Sequence, residues 1–180
     1  MEEQKQIKWV SDKAHSEIEF SARHMMISTV KGNFGNFEIV ALGTHTDPEA
    51  AKVEVTIDPS SISTREKDRD NHLKSPDFFD VEKFKEIKFV SKSIKKVNDT
   101  KHIITGDLTI KNVTKEIKLE GDLEGVIKDP YGKTRAGMSI EGEIAREDFG
   151  LKWNMVLEAG KVMVGSKIKF TAHVEMVAEE

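Results

Sequence analysis

Apolar and polar residues alternate along almost the whole chain, and no long apolar helix interrupts them. Ile18, Phe20 and Ala22 fall on one side; Glu17, Glu19 and Arg23 fall on the other. Near the C-terminus Ile168, Phe170, Ala172, Val174 and Met176 alternate with Lys167, Lys169, Thr171, His173 and Glu175. A period of two buries one face of a strand and wets the other. When most strands of a chain behave this way, the sheet must close on itself or stack on a second sheet. The functional question is then what fills the inside.

The alternation divides into about eight strands: Ile7–Val10, either by itself or running on into Ile18–Arg23, then Thr29–Leu42, Lys52–Ile57, Glu86–Val97, His102–Ile110, Thr114–Val126, Thr134–Ala145 and Ser166–Val177. Turn residues separate them, at Asp47-Pro48, Asp58-Pro59, Asn98-Asp99, Asn112 and Asp129-Pro130-Tyr131-Gly132. His24–Ser28 breaks the pattern as a turn or short helix. Short connections between many strands predict an all-β fold, an eight-stranded antiparallel up-and-down barrel, as one domain over residues 1–180. Strand Lys115–Ile127 would span roughly 43 Å at ~3.3 Å per residue, so the barrel is elongated. A barrel of eight strands either fills with side chains or holds one small ligand. Small residues share the inward phase here: Ala22, Gly106, Gly121, Ala136, Gly142 and Ala172. They either leave room inside or serve only the curvature of the sheet.

The one long departure from strand pattern is Ser60–Phe84. Ser63-x-x-Glu66 has the form of a capping box, which predicts a short polar helix from Thr64 to about Leu73. Ser75-Pro76 predicts a second short helix through Phe79. The helix has no apolar stripe of its own, so Phe78 and Phe79 are its expected anchors against the barrel.

Composition removes several function classes. There is no cysteine, which excludes disulfides, thiolate metal sites and a thiol nucleophile. The net charge is -4 with both signs interspersed, and the lysines of Lys85–Lys96 form no dense cluster, so no nucleic-acid footprint is expected. No run approaches the ~20 apolar residues of a transmembrane helix. The polar Met1–Gln6 segment carries no secretory signal, which makes the cytoplasm the expected location.

Several short motifs point elsewhere and lack their context. Gly160–Lys167 approaches a phosphate loop, but its lysine follows the serine's place and a strand follows instead of a helix. Asp148-Phe149-Gly150 stands without the other parts of a kinase. Asn98-Asp99-Thr100 and Asn112-Val113-Thr114 read as turns. Asp68-x-Asp70-x-His72 could supply metal ligands from one helix face, or be a solvated face of ion pairs. His15 and His24 flank the first strand as lone histidines.

Taken together, four stretches resemble the YceI-like, polyisoprenoid-binding family. The first is Trp9-x-x-Asp12-x-x-His15-Ser16-x-Ile18-x-Phe20-x-x-x-His24, continued by Ser28-x-Val30-x-Gly32-x-Phe34. The second is Ile57-x-x-Ser60-Ser61-Ile62 with Arg69-Asp70-x-His72-Leu73-x-Ser75-x-Asp77-Phe78-Phe79-Asp80. Gly106–Ile110 with Val113-Thr114-Lys115, and Arg146-x-Asp148-Phe149-Gly150-Leu151-x-Trp153-Asn154, complete the set. The chain departs from that pattern at Lys85, Ala145 and Lys161. The resemblance implies a lipocalin-like elongated barrel whose long apolar tunnel takes a polyprenyl chain or an isoprenoid quinone. It implies a carrier, storage or stress-related protein rather than an enzyme.

On this reading the expected tunnel lining is Phe20, Phe34, Phe37, Leu108, Leu119, Met138, Ile140 and Phe170, with Phe78 and Phe79 from the insert. Expected head-group contacts are Arg23, Arg65, Arg69 and His72, because guanidinium suits phosphate. No catalytic residue, no metal and no cofactor beyond the lipid are expected, and the protein is expected to be a monomer or homodimer. Two rivals stand beside this reading. One is an enzyme or metal protein centred on Asp68, Asp70, His72 and His24. The other is a structural barrel packed full. Trp9 and Trp153 are both expected to be buried.

Overall fold

Eight staves close into a barrel, and three of them are broken. The computed structural model describes residues 5–157 and 160–179. Its strands are β1 (Ile7–Ser11), β2 (Glu17–His24), β3 (Ser28–Phe34), β4 (Phe37–Gly43), β5 (Lys52–Ile57), β6 (Ile62–Ser63), β7 (Ile87–Lys96), β8 (Lys101–Ile110), β9 (Val113–Lys128), β10 (Thr134–Ala145) and β11 (Val164–Glu179). One α-helix, α1 (Lys67–Lys74), is described. It is too short and too polar to cross a membrane.

β1 and β2 lie end to end along β11, with Val10 opposite Val177 and Phe20 opposite Phe170. β4 and β3 lie end to end along them, with Trp9 opposite Ala41 and Phe20 opposite Gly32. β5 and β6 continue the third stave against β4 and β3. Every pairing is antiparallel, and β7 to β11 complete the circle in chain order. This is the closed eight-stave antiparallel barrel that the alternation predicts. The breaks fall where sequence-local hydrogen bonding beats the ladder. Asp12 accepts from the Ala14 amide and starts a 3-10 turn between β1 and β2. Asp58 does the same for Pro59–Ser61 between β5 and β6.

The up-and-down path sorts the connections to two ends. The β2–β3 turn, the residue 64–86 insert, the β8–β9 turn and the residue 146–163 segment share one end. The residue 44–51 segment, the β7–β8 and β9–β10 turns and the described chain ends share the other.

The insert differs locally from expectation. α1 begins at Lys67, and its cap is Glu66, whose carboxylate accepts from the Asp68 and Arg69 amides. Ser63 is not the cap because it is paired in β6 opposite Asn33. Thr64 is buried and donates from both amide and hydroxyl to Asp70. Beyond Ser75 the chain makes turns instead of a second helix.

Two arginines clasp the ends. Arg135 on β10 donates to Asp129 (2.8 Å), Asp12 (2.8 Å) and Glu175 (3.0 Å), tying the β9–β10 turn, the β1–β2 corner and β11 together. The guanidinium holds the Asp12 carboxyl down at about 2 and lowers Asp129 as well. At the insert end Arg146 is 2% exposed. It donates to the carbonyls of Gly165, Leu151, Trp153 and Val164, which pins the start of the 146–163 segment to β11. Burial pulls its pKa down, partly offset by Glu147 at 3.5 Å.

Candidate ligand-binding site

The inward residues of the staves divide by height. At the insert end they pack against one another. Phe20 and Phe34 have ring centroids 5.4 Å apart, and Phe79 sits edge-on to Phe34 at 6.0 Å. Ile62, Ile87, Ile110, Phe149 and Leu151 fill the space around them. Phe78 packs against His72 and Trp153. The two phenylalanines of the insert thus anchor it as a plug.

Next comes a layer in which aromatic rings lie over glycines. A Cβ at Gly32 would meet the Phe20 ring at 2.5 Å, one at Gly106 the Phe89 ring at 2.5 Å, and one at Gly142 the Phe170 ring at 2.5 Å. Phe20 and Phe170 face their glycines directly across the ladder. The small residues here therefore make room for rings, and that room is taken.

Above this layer the barrel is open. A cavity of about 220 Å³ runs from Phe89, Leu108 and Phe170 toward the end that carries the residue 44–51 segment. Its wall is almost wholly apolar, built from side chains such as Ile39, Val55, Ile104, Leu119, Met138 and Ile140. Trp9 is buried and forms part of the wall, with His45 edge-on to it at 5.7 Å. The cavity reaches the surface near exposed His45, Asp122 and Val126. Thr44, His45, Pro48 and Ala51 line this end of the cavity. Glu49 fastens the segment by accepting the Lys96 amide at 2.7 Å. Asp47-Pro48 reads in sequence as a plain turn; only the tertiary structure shows that Pro48 borders the cavity.

Leu108, Leu119, Met138, Ile140 and Phe170 are on the cavity wall. Phe20, Phe34, Phe37, Phe78 and Phe79 are not, which corrects the expected lining. They have the inward phase or bury well, but at the wrong height. The head-group expectation needs the same correction. Arg23 donates to Thr29 and to the Met26 carbonyl in the β2–β3 turn. Arg65 is exposed in a left-handed conformation, φ 64°. Arg69 spends its guanidinium on Thr64. His72 pairs with Asp77 at 2.8 Å and stacks edge-on against Trp153, which is half-buried. All four lie at the plugged end, and none borders the cavity.

Asp68, Asp70 and His72 do not converge either, since Asp70 serves Thr64 and His72 serves Asp77. Among the described residues the ligating groups that do converge are Asp12, His15 and Glu175, and the cation between Asp12 and Glu175 is the Arg135 guanidinium. The residue that sequence reasoning missed is His102. It holds the inward phase of β8 with Ile104, Gly106 and Leu108, is 6% exposed, and lies on the cavity wall.

Fold and cavity together define a closed β-barrel with an apolar interior, plugged at one end and open at the other. A family model described as YceI-like domain matches residues 9–176, and the chain belongs to that family. The UPF0312 protein SAS2572 of Staphylococcus aureus is 43% identical over 170 residues, covering 94% of this chain and 96% of the relative. The crystal structure of a Campylobacter jejuni YCEI protein superposes with a TM-score of 0.77 at 34% identity, covering 88% of this chain and 90% of that one. A polyisoprenoid binding domain from Saccharophagus degradans superposes with a TM-score of 0.70 at 12% identity, over 95% of this chain and 98% of that one.

Proposed function

We propose that this protein binds an isoprenoid lipid, a polyprenyl chain or an isoprenoid quinone, in the barrel cavity and serves as its carrier or reservoir. The observation that carries this reading is the apolar cavity of about 220 Å³, open at one end, in a chain of the YceI-like family. The binding described for the Saccharophagus domain of the same fold is consistent with it. A dry apolar void of ~150 Å³ is already enough to take a benzene-sized guest. An apolar chain needs no polar partner here. Each buried CH₂ contributes about 0.8 kcal/mol, so ten give roughly 8 kcal/mol before the costs of association. That gross figure corresponds to about micromolar affinity. The wall is almost wholly apolar, which suits holding a ligand.

Organic extraction of the purified protein followed by mass spectrometry tests this. The expected result is an isoprenoid recovered in proportion to protein. Failure of added isoprenoids to bind the delipidated barrel refutes the proposal, as does a stoichiometric metal bound in place of lipid.

A further inference from the structure

The cavity wall contains one buried polar side chain whose hydrogen bonding is half complete. His102 Nδ1 lies 3.1 Å from the Thr100 carbonyl, which also accepts the Leu123 amide at 2.9 Å. A carbonyl can only accept, so Nδ1 carries a hydrogen, and the Nδ1–H tautomer leaves Nε2 as an acceptor. Among the described residues nothing bonds to Nε2. No side-chain nitrogen or oxygen sealed from solvent lacks a partner among the described residues, so Nε2 is open to the cavity, and an apolar group laid over it would leave it unpaired at a cost in free energy.

The rest of the wall narrows what the donor can be. Among the described residues no lysine or arginine borders the cavity, and the one carboxylate residue that does is Asp122. Thr44 at the mouth already accepts the Asp47 amide at 3.0 Å. A diphosphate drawn in here would lose hydration and find no lysine or arginine among the described residues in exchange.

Building on the reading above, we infer that the isoprenoid held in this cavity carries an uncharged hydroxyl head that donates to His102 Nε2, so that the site takes isoprenoid alcohols in preference to their diphosphates. The apolar wall binds the chain, and His102 fixes the depth of the head. Its place on β8 beside the β7–β8 turn puts that head just inside the mouth, under the residue 44–51 segment.

Three probes with one chain test the inference by calorimetry on the delipidated full-length protein: geranylgeraniol, its methyl ether and geranylgeranyl diphosphate. The alcohol is expected to bind about tenfold tighter than either of the others, the contribution of one neutral hydrogen bond. His102→Asn keeps a donor near Nδ1 for the Thr100 carbonyl and has nothing at Nε2. It should weaken the alcohol alone and erase its advantage over the ether. His102→Gln, which places an amide oxygen near the Nε2 position, should restore most of that advantage. Diphosphate binding as tight as the alcohol overturns the inference, as does an alcohol–ether gap unchanged in His102→Asn. If all three probes bind equally, the lipid-binding reading survives and the head-group inference fails. If none binds, both fail.

Discussion

Gly106 is the position where adding one methyl group most directly tests the barrel's construction. It lies on β8 opposite Ser91 of β7. A Cβ there would stand 2.5 Å from the Val90 carbonyl oxygen and 2.5 Å from the tip of the Phe89 ring. The ring can swing away, but the carbonyl belongs to the neighbouring strand's backbone. Ordinary carbon–oxygen approaches between strands are about 3.3 Å or longer. Gly106→Ala must therefore part β7 from β8 by most of an ångström and drive Phe89 toward the cavity. Overpacking of this kind costs about 1–3 kcal/mol, and the backbone contact puts the change at the upper end. At roughly 2–4 °C per kcal/mol for a chain of this size, the melting temperature should fall by about 4–12 °C. Gly125→Ala is the control. It lies on β9 with no atom within 4 Å of its Cβ position and without a positive φ. Restricting the unfolded chain there should stabilise by about 0.4–1 kcal/mol. The same substitution should thus change stability in opposite directions at two strand glycines, as read by urea denaturation followed by circular dichroism. If Gly106→Ala stays within about 0.5 kcal/mol of the parent, the ring-over-glycine layer is not tightly packed and the account of the closed end is wrong.

Arg146→Met should strip the Gly165, Leu151 and Trp153 carbonyls of the guanidinium, while Val164 keeps its bond from Asn154, and cost about 3 kcal/mol or more, with a red shift of Trp153 emission as its segment loosens; a variant melting like the parent would contradict this. The Asp12 carboxyl titrates at about 2 in the fold and near 3.9 unfolded, so its contribution is whole above pH ~4 and is lost as pH falls from about 4 toward about 2. Arg135→Met should flatten the acid limb of the stability curve in that window, and parallel curves for the two proteins would refute the clasp. Glu49→Ala removes the acceptor that ties the residue 44–51 segment to Lys96. It should raise the release rate of a bound isoprenoid several-fold with little change in melting temperature, and an unchanged rate would mean that the segment does not gate the mouth.

Much of the fold was legible because a period of two is a local signal. Ile168 to Met176 on β11 and His102 to Ile110 on β8 declare their inward faces in sequence, and closure follows from having one wet face on every stave. The same signal marks His102 as inward, yet a histidine among turns and lysines draws no attention until the wall around it is assembled. Local capping chemistry was less reliable. Ser63-x-x-Glu66 has the right spelling for a helix start, but pairing of Ser63 with Asn33 and burial of Thr64 shift the start to Lys67.

Height along the barrel axis was not legible. Phe20 and Phe170 share a phase and even a rung. Phe170 borders the cavity, while Phe20 packs with Phe34 and Phe79 below it. Alternation fixes which face of a strand looks inward, because successive Cβ atoms point to opposite sides. It carries no information about which end of the closed sheet receives the bulky insert and which is left open. That depends on contacts between residues far apart in sequence: Phe79 on Phe34, Arg146 on Gly165, Glu49 on Lys96. The sequence alone determined a closed barrel with an apolar interior. The tertiary structure decided where that interior is empty, which end opens, and which polar atom waits inside it.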